Sequence, residues 1–211
     1  MSTTTVLANG DGSKTAWTDE SSGTSNLYSH VDELVASTND SDYIQSTSPT
    51  NSIFLLLQDM PSDLSVVTGV SVQIRAQRNG SSRTVTTQIV KSDESTALTD
   101  ALTQTPPNGS WSNFTNNHAV TGSTDKASWD GARMKITASN SSILVACFQV
   151  NITYTASGGG SAAGVIGGGV SLSGIVGYQS PVLYHGEDVR RFRARREYEE
   201  ITARLKERFS V

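Results

Sequence analysis

The strongest constraint on the fold is a run of alternating side chains that ends at residue 154. From Leu144 onward, every second residue is apolar and the residues between are mostly polar. Successive side chains of a β-strand point to opposite faces, so this run predicts a strand with one buried face. The predicted buried face carries Leu144, Ala146, Phe148, Val150, Ile152 and Tyr154.

Other segments add strands to this one. Residues 70–76, 85–89 and 134–138 alternate in the same way. Asn79-Gly80 tolerates positive φ, which predicts a hairpin between the first two of them. Residues 53–57 are apolar throughout, which is typical of a strand buried on both faces. Short strands without intervening helical patterns predict an antiparallel β-sandwich.

The composition agrees with an all-β fold. Serine and threonine make up 55 of the 211 residues, and only 17% of the chain is charged. Threonine is β-branched and suits a half-exposed strand, so this composition disfavours an all-helical protein. The single cysteine, Cys147, excludes an intramolecular disulfide framework.

The distribution of charge divides the chain into three parts. Residues 136–186 contain no Asp, Glu, Lys or Arg, whereas 14 of the 22 residues from 187 to 208 are charged. We predict a β-sandwich domain over 1–155, a glycine-rich uncharged arm over 156–180, and a charged C-terminal helix over 181–211. The first part carries the acidic excess and the last a net positive charge, which predicts a tail with its own partner.

The glycine-rich arm is open to three interpretations. Its composition is that of a flexible linker, but its valines and isoleucines also suit an arm that becomes ordered on a partner subunit. Gly160, Gly164 and Gly168 match the spacing of packed membrane helices. Glycine and serine dilute the apolar residues too much for a spanning helix, so we expect no membrane insertion.

The tail shows the periodicity of an amphipathic α-helix, with apolar residues at steps of three and four. A lone helix of this length is marginal in water, so we expect it to dock on something. An alternative is that its charged residues form a solvated face with internal ion pairs. The predicted partner-binding residues are Arg190, Arg191, Phe192, Arg195, Tyr198, Ile201, Leu205 and Phe209.

No arrangement of residues indicates catalysis. The histidines His30, His118 and His185 share no ligand spacing, and we expect each to lie on the surface or in a loop. Asp40 and Asp42 could offer oxygens to calcium, but they lack the rest of a calcium loop and favour an Asx-rich turn. We therefore predict no enzymatic activity, no cofactor and no metal. The net charge of −4 gives no reason to expect nucleic-acid binding.

Aromatic residues offer a possible ligand platform. Trp111 and Trp129 are the leading candidates for stacking on a glycan. The alternative is that these rings, with Trp17, Tyr28 and Tyr43, pack in the core or at its rim.

The order of these segments resembles the jelly-roll-like structural proteins of tailed bacteriophage virions. The resemblance spans roughly residues 15–155. It rests on Val31-Asp32-Glu33 followed by Asp40-Ser41-Asp42-Tyr43-Ile44, on the two strands after them, and on Trp111 and Trp129 ahead of a strand ending Asn151-Ile152-Thr153-Tyr154. It implies a non-enzymatic virion component assembled in the host cytoplasm. The absence of a secretory pattern in residues 1–15 and of disulfides agrees with that expectation.

The resulting hypothesis is a capsid decoration or minor head protein, anchored by the arm and helix to other virion proteins. We expect a homo-oligomer, with a trimer or hexamer as the candidates. Two alternatives remain open. The chain could attach at the neck, collar or tail fibre, or it could be a carbohydrate- or receptor-binding module.

Overall fold

The computed structural model describes residues 1–157, and these form two antiparallel β-sheets packed face to face. The predicted all-β, jelly-roll-like sandwich is confirmed. The predicted C-terminal helix and all but the first two residues of the predicted arm lie outside the described residues. Within residues 1–157, no helix is long and apolar enough to span a membrane.

Short strands dominate the described chain, and helical segments are few and brief. The strands are β1 Ser2–Val6, β2 Ala8–Lys14, β3 Trp17–Asp19, β4 Ile44–Ser46, β5 Asn51–Leu57, β6 Leu64–Arg78, β7 Val85–Val90, β8 Leu102–Gln104, β9 Ser112–His118, β10 Arg133–Ala138 and β11 Ile143–Ala156. Two 3-10 helices span Leu27–His30 and Val35–Ser37, and the α-helix α1 spans Lys126–Trp129.

Six strands form one sheet, which we call the front sheet, in the order β3-β4-β11-β6-β9, with β1 also paired to β11. The other five form the back sheet in the order β2-β5-β10-β7-β8. The long strands β6 and β11 pair along almost their whole length at the centre of the front sheet. They therefore form the frame on which the shorter strands and loops are placed.

The hydrophobic core lies between the two sheets. Along β10 and most of β6, buried residues alternate with half-buried ones, as a strand with one covered face requires. Each buried Leu, Ile or Phe stabilises the fold by about 1.5–3 kcal/mol relative to an exposed side chain. The largest fully buried side chains are Trp17, Trp129, Phe148, Leu27, Ile44, Ile53, Leu55, Leu57, Ile74, Ile89, Leu98 and Met134.

The predicted hairpin at Asn79-Gly80 is wrong. β6 belongs to the front sheet and β7 to the back sheet, so the turn carries the chain across the sandwich. Gly80 has a φ of 114°, so the turn does use the positive φ that the sequence indicated. Alternation predicts which face of a strand is buried. That face is the same whether the next strand pairs with the first in one sheet or lies in the other sheet, so alternation could not predict this pairing.

Two predicted burial patterns also need correction. The register of β11 against β6 shifts between Val145 and Cys147, so a β-bulge puts Val145 on the core face in place of Leu144 and Ala146, which are buried as predicted but outside the core cluster. Residues 53–57 are not buried on both faces, because Phe54 and Leu56 are half exposed on the outer side of the back sheet. There the ammonium group of Lys135 lies 5.7 Å from the Phe54 ring centroid.

Candidate functional site

The outer face of the front sheet carries neutral polar side chains over most of its area. We call this set of amides and hydroxyls the polar face. Its members alternate with buried or half-buried residues along four neighbouring strands. They are Thr3, Thr5, Ser71, Gln73, Asn113, Thr115, Asn117, Gln149, Asn151 and Thr153.

The strand register arranges the polar face in rows. Thr5 lies opposite Asn151, and Asn151 lies opposite Ser71, which in turn lies opposite Asn117. Adjacent strands are about 4.8 Å apart, so each row offers hydrogen-bonding groups at that interval. Some groups already bond to each other: the Thr5 hydroxyl donates to Asn151 Oδ1 at 2.7 Å. Hydroxyls and amides both donate and accept, so the face can match a ligand rich in hydroxyls.

An aromatic pair stands at one end of this face. Tyr43 directly precedes β4 and Trp111 directly precedes β9. These two strands lie on either side of the central strands β11 and β6. Their centroids are 5.9 Å apart and their planes are inclined at 53°. Both side chains are half buried. We call Tyr43 and Trp111 the aromatic pair.

Arg75 connects the aromatic pair to the polar face. It points outward from β6, and its guanidinium carbon lies 6.0 Å from the Trp111 ring centroid, within reach of a cation–π interaction. Arg75 Nε and Nη2 donate to the two carboxylate oxygens of Asp40 at 2.5 and 2.7 Å. Arg75 Nη1 donates to Asn113 Oδ1 at 2.9 Å. The guanidinium is therefore held in a fixed plane beside the indole.

The ion pair neutralises the charge at this site. The hydrogen bond from Arg75 holds the pKa of the Asp40 carboxyl below its usual range, and the carboxylate in turn raises the pKa of Arg75. Both groups stay ionised near neutral pH, and their charges cancel locally. The Asp40–Arg75 pair therefore adds little net charge beside the Trp111 ring.

The chain that follows the first 3-10 helix covers the neighbouring part of the sheet. Val35 N donates to Gln149 Oε1 at 3.1 Å, and the Thr38 hydroxyl lies 2.8 Å from Cys147 Sγ. Cys147 is buried under this segment, and burial raises the pKa of its thiol. The same segment places Asp40 beside Arg75 and therefore forms one wall of the site.

The predicted glycan platform divides into one accessible and one inaccessible ring. Trp111 is on the surface, in the aromatic pair. Trp129 is 0% exposed and its indole Nε1 donates to the Ser123 carbonyl at 2.9 Å. The prediction is therefore wrong for Trp129, because Asp125 caps α1 and the short helix directs this ring into the core. For Trp111 it remains a prediction.

The sequence patterns did not predict that several residues lie together at this site. Arg75, Asp40 and Asn113 become neighbours of Trp111 through the pairing of β6 with β9 and the path of a loop. One signal was present: Arg75 is the single charged residue in the alternating run 70–77. The predicted partner-binding residues between Arg190 and Phe209 lie outside the described residues.

The described histidines are not ordinary surface residues. His118 is 5% exposed and lies between the sheets, so the prediction of a surface or loop position is wrong for it. Its Nε2 lies 3.2 Å from Thr87 Oγ1 and its Nδ1 lies 3.1 Å from Asp100 Oδ1. His30 ends a 3-10 helix and is half buried among carboxylates. The predicted Asx turn does form, with Ser41 N donating to Asn39 Oδ1 at 3.1 Å.

No protein-family model matches this chain. No curated protein matches it either.

Several solved structures are similar to this chain over most of its length. The C-terminal CBM6 domain of LamC, a marine laminarinase from Zobellia galactanivorans, is 9% identical with a TM-score of 0.43, over 72% of this chain and 100% of that chain. A carbohydrate-binding module of Cellvibrio mixtus lichenase 5A, in complex with cellotriose, is 8% identical with a TM-score of 0.42, over 72% and 98%. The CBM22-1 xylan-binding domain of Paenibacillus barcinonensis Xyn10C is 12% identical with a TM-score of 0.35, over 71% and 94%.

Proposed function

We propose that this protein is a non-catalytic carbohydrate-binding module that holds a neutral glycan on the outer face of the front sheet. The observation that carries the proposal is the aromatic pair, with Arg75 and Asn113 beside it, next to a face of neutral amides and hydroxyls. A sugar ring presents C–H groups on its faces and hydroxyls around its edge. Tyr43 and Trp111 offer apolar area for the faces, and the polar face offers partners for the hydroxyls.

The chemistry of the face favours a glycan over a protein as the ligand. Protein interfaces have an apolar centre, but the polar face has none. Within residues 1–157, the exposed large hydrophobic residues are Met1, Leu34 and Val66, and the one on β6, Val66, is nine residues along the strand from Arg75. A neutral glycan is favoured over an acidic one because Asp40 already pairs with the Arg75 guanidinium.

We propose binding rather than hydrolysis because of how the charged groups at the site are used. Hydrolysis of a glycosidic bond usually needs two carboxyl groups placed on either side of it. Asp40 is the carboxylate that lies against Arg75 beside Trp111, and both of its oxygens accept hydrogen bonds from Arg75. That bidentate pairing suits an orienting role for Asp40 more than proton transfer.

A glycan array with the full-length protein tests the proposal. We expect binding to neutral oligosaccharides, and we expect Trp111→Ala to weaken it about tenfold or more, which is roughly 1.4 kcal/mol. Phe54→Ala is the matched control, because Phe54 is a half-exposed aromatic residue on the opposite sheet. The proposal fails if the wild-type protein binds no glycan. It also fails if both variants bind as the wild type does.

The virion role implied by the sequence resemblance stands as a second proposal. It is favoured by the way the chain is divided. The last strand of the sandwich, β11, ends at Ala156, and an uncharged arm and a charged tail follow it up to residue 211. A sandwich that binds glycans and a tail that anchors it to a particle are compatible functions. Deleting residues 158–211 should leave a folded sandwich that no longer joins virions. Incorporation of the deleted chain at normal copy number would contradict this role.

A further inference from the structure

Three separate segments of the chain bring potential metal ligands to one point beside β3 and β4. Glu20 follows the last residue of β3, His30 ends the first 3-10 helix, and Asp42 lies two residues before β4. One ligand atom from each of these side chains lies within 4.8 Å of the others. His30 Nδ1 is 3.2 Å from Glu20 Oε2 and contacts Asp42 Oδ1 directly.

The second nitrogen of the imidazole faces a further carboxylate. Asp19 Oδ2 lies 3.7 Å from His30 Nε2, on the side of the ring away from Glu20 and Asp42. Asp19 is held in place because its Oδ1 accepts hydrogen bonds from Ser21 N at 2.8 Å and Gly23 N at 2.7 Å. Metal-binding histidines usually donate their other ring N–H to a carboxylate, which fixes the tautomer and the orientation of the ring. Asp19 lies on that side of the ring, at a distance slightly longer than a hydrogen bond.

The charge of the cluster is not balanced by basic side chains. Among the ion pairs of residues 1–157, Asp19, Glu20 and Asp42 pair with His30 and with no lysine or arginine. Three carboxylates therefore converge on one imidazole. A divalent cation between them would compensate charge that the described residues leave in excess.

We propose that His30 Nδ1, Glu20 and Asp42 form a binding site for a zinc-type divalent transition-metal ion, with Asp19 orienting the imidazole from the outer shell. Imidazole nitrogen with carboxylate oxygens suits zinc better than calcium or magnesium, which prefer oxygen ligands alone. Zinc–ligand bonds of 2.0–2.2 Å put tetrahedral ligands about 3.3 Å apart. The spacing of Glu20 and His30 already matches that value. Asp42 would draw back from its direct contact with His30, and water would fill a fourth position.

An ion at this point would join the end of β3, the 3-10 helix and the turn before β4. Asp42 directly precedes Tyr43, so the ion would also fix the backbone that carries one ring of the aromatic pair. This last consequence rests on the proposed function. The metal site itself does not, because zinc binding is measurable without any glycan.

Calorimetric titration of the chelator-treated full-length protein with zinc chloride tests the site. We expect a site with one-to-one stoichiometry whose affinity falls by at least about tenfold in His30→Ala and in Glu20→Gln; loss of an outer-shell partner alone costs 10–100-fold. Glu20 is exposed, so Glu20→Gln is expected to fold even if His30→Ala does not. Asp130→Asn is the matched control, because Asp130 is an exposed carboxylate paired with Lys126.

Three results would overturn the proposal. One is the absence of zinc binding to the wild-type protein. Another is equal zinc affinity in the wild type and in Glu20→Gln. The third is tighter binding of calcium than of zinc in the same titration, which would remove the role assigned to the imidazole.

Discussion

Asp11 shows how one carboxylate fixes a loop at the edge of the sandwich. It lies on β2, and its side chain accepts hydrogen bonds from Leu27 N at 3.1 Å and Tyr28 N at 2.8 Å. Lys14 Nζ is 2.6 Å from the same carboxylate. Burial by itself raises the pKa of this group, but Lys14 and the two backbone N–H groups together lower it below its usual value. Asp11 therefore secures the 3-10 helix that ends in His30.

We expect Asp11→Asn to lower the free energy of unfolding by about 1–2 kcal/mol at neutral pH, as loss of a capping carboxylate does. The folded-state pKa lies below the unfolded value of about 3.9, so the stabilisation is present above that value and is lost as the pH falls through the folded pKa. Urea unfolding of both proteins at about pH 7 and about pH 3 measures this. An equal difference at the two pH values would contradict the role of the ionised carboxylate.

At the residue scale, the sequence identified the ring types of the site but could not separate the surface tryptophan from the core one. Trp111 follows the turn-forming Asn108-Gly109, and Trp129 precedes the turn-forming Asp130-Gly131. Their exposure differs because Trp129 is the last residue of α1 and is buried in the core, whereas Trp111 directly precedes the edge strand β9. Arg75 and Asp40 are 35 residues apart in sequence, and local patterning says nothing about such a pair.

At the scale of elements, the strongly alternating strands were predictable and the weak ones were not. β6, β7, β10 and β11 follow apolar alternation, which reports burial of one face directly. β9 has the sequence SNFTNNH, and its inward positions include Asn116 and His118. Polar residues that face inward remove the alternation signal, so this strand escaped prediction. The pairing of strands was not predictable either, because the alternation within one strand does not depend on which strand lies beside it.

The inward polar residues of β9 link the two sheets. His118 Nε2 and Asn116 Nδ2 lie 3.2 and 3.1 Å from the hydroxyl oxygen of Thr87, which lies on β7 of the back sheet. All three residues are buried. Removing one of the three takes one hydrogen bond from its neighbour in a dry environment, where an unsatisfied group costs about 1–3 kcal/mol.

We expect His118→Leu to lower the free energy of unfolding by about 1–3 kcal/mol. Adding Thr87→Val should cost less than it does in the wild-type background, because the hydroxyl has already lost its imidazole partner. Urea unfolding of the single and double variants gives the coupling energy. Asn117→Ala, at an exposed position on the same strand, is the control and should change stability by less than about 0.5 kcal/mol. Additive effects of the two core substitutions would contradict the network.

At the scale of the whole molecule, the described residues contain one hydrophobic core. Its cluster runs from Val6 to Tyr154, and the last described contact is Ser157 N donating to the Asp63 carbonyl at 2.6 Å. The first part of the chain carries the acidic excess and the tail a net positive charge. We therefore expect residues 1–157 to fold without residues 158–211.

We expect a protein truncated after Ser157 to fold with a melting temperature within about 4 °C of the full chain, a shift that corresponds to roughly 1 kcal/mol at this size. Thermal unfolding followed by circular dichroism measures this. Mass determination of both proteins tests the predicted homo-oligomer: a trimer or hexamer that becomes a monomer would assign assembly to residues 158–211. Loss of a cooperative transition in the truncated protein would show that the sandwich depends on those residues.

The most direct test of the binding face uses the three tryptophan indole N–H resonances of the full-length protein. Trp17 and Trp129 are 1% and 0% exposed, whereas Trp111 lies half exposed in the aromatic pair. In a titration with the oligosaccharide selected on the array, we predict that the Trp111 resonance shifts while those of Trp17 and Trp129 stay in place. An unchanged Trp111 resonance at saturation would contradict glycan binding on the outer face of the front sheet.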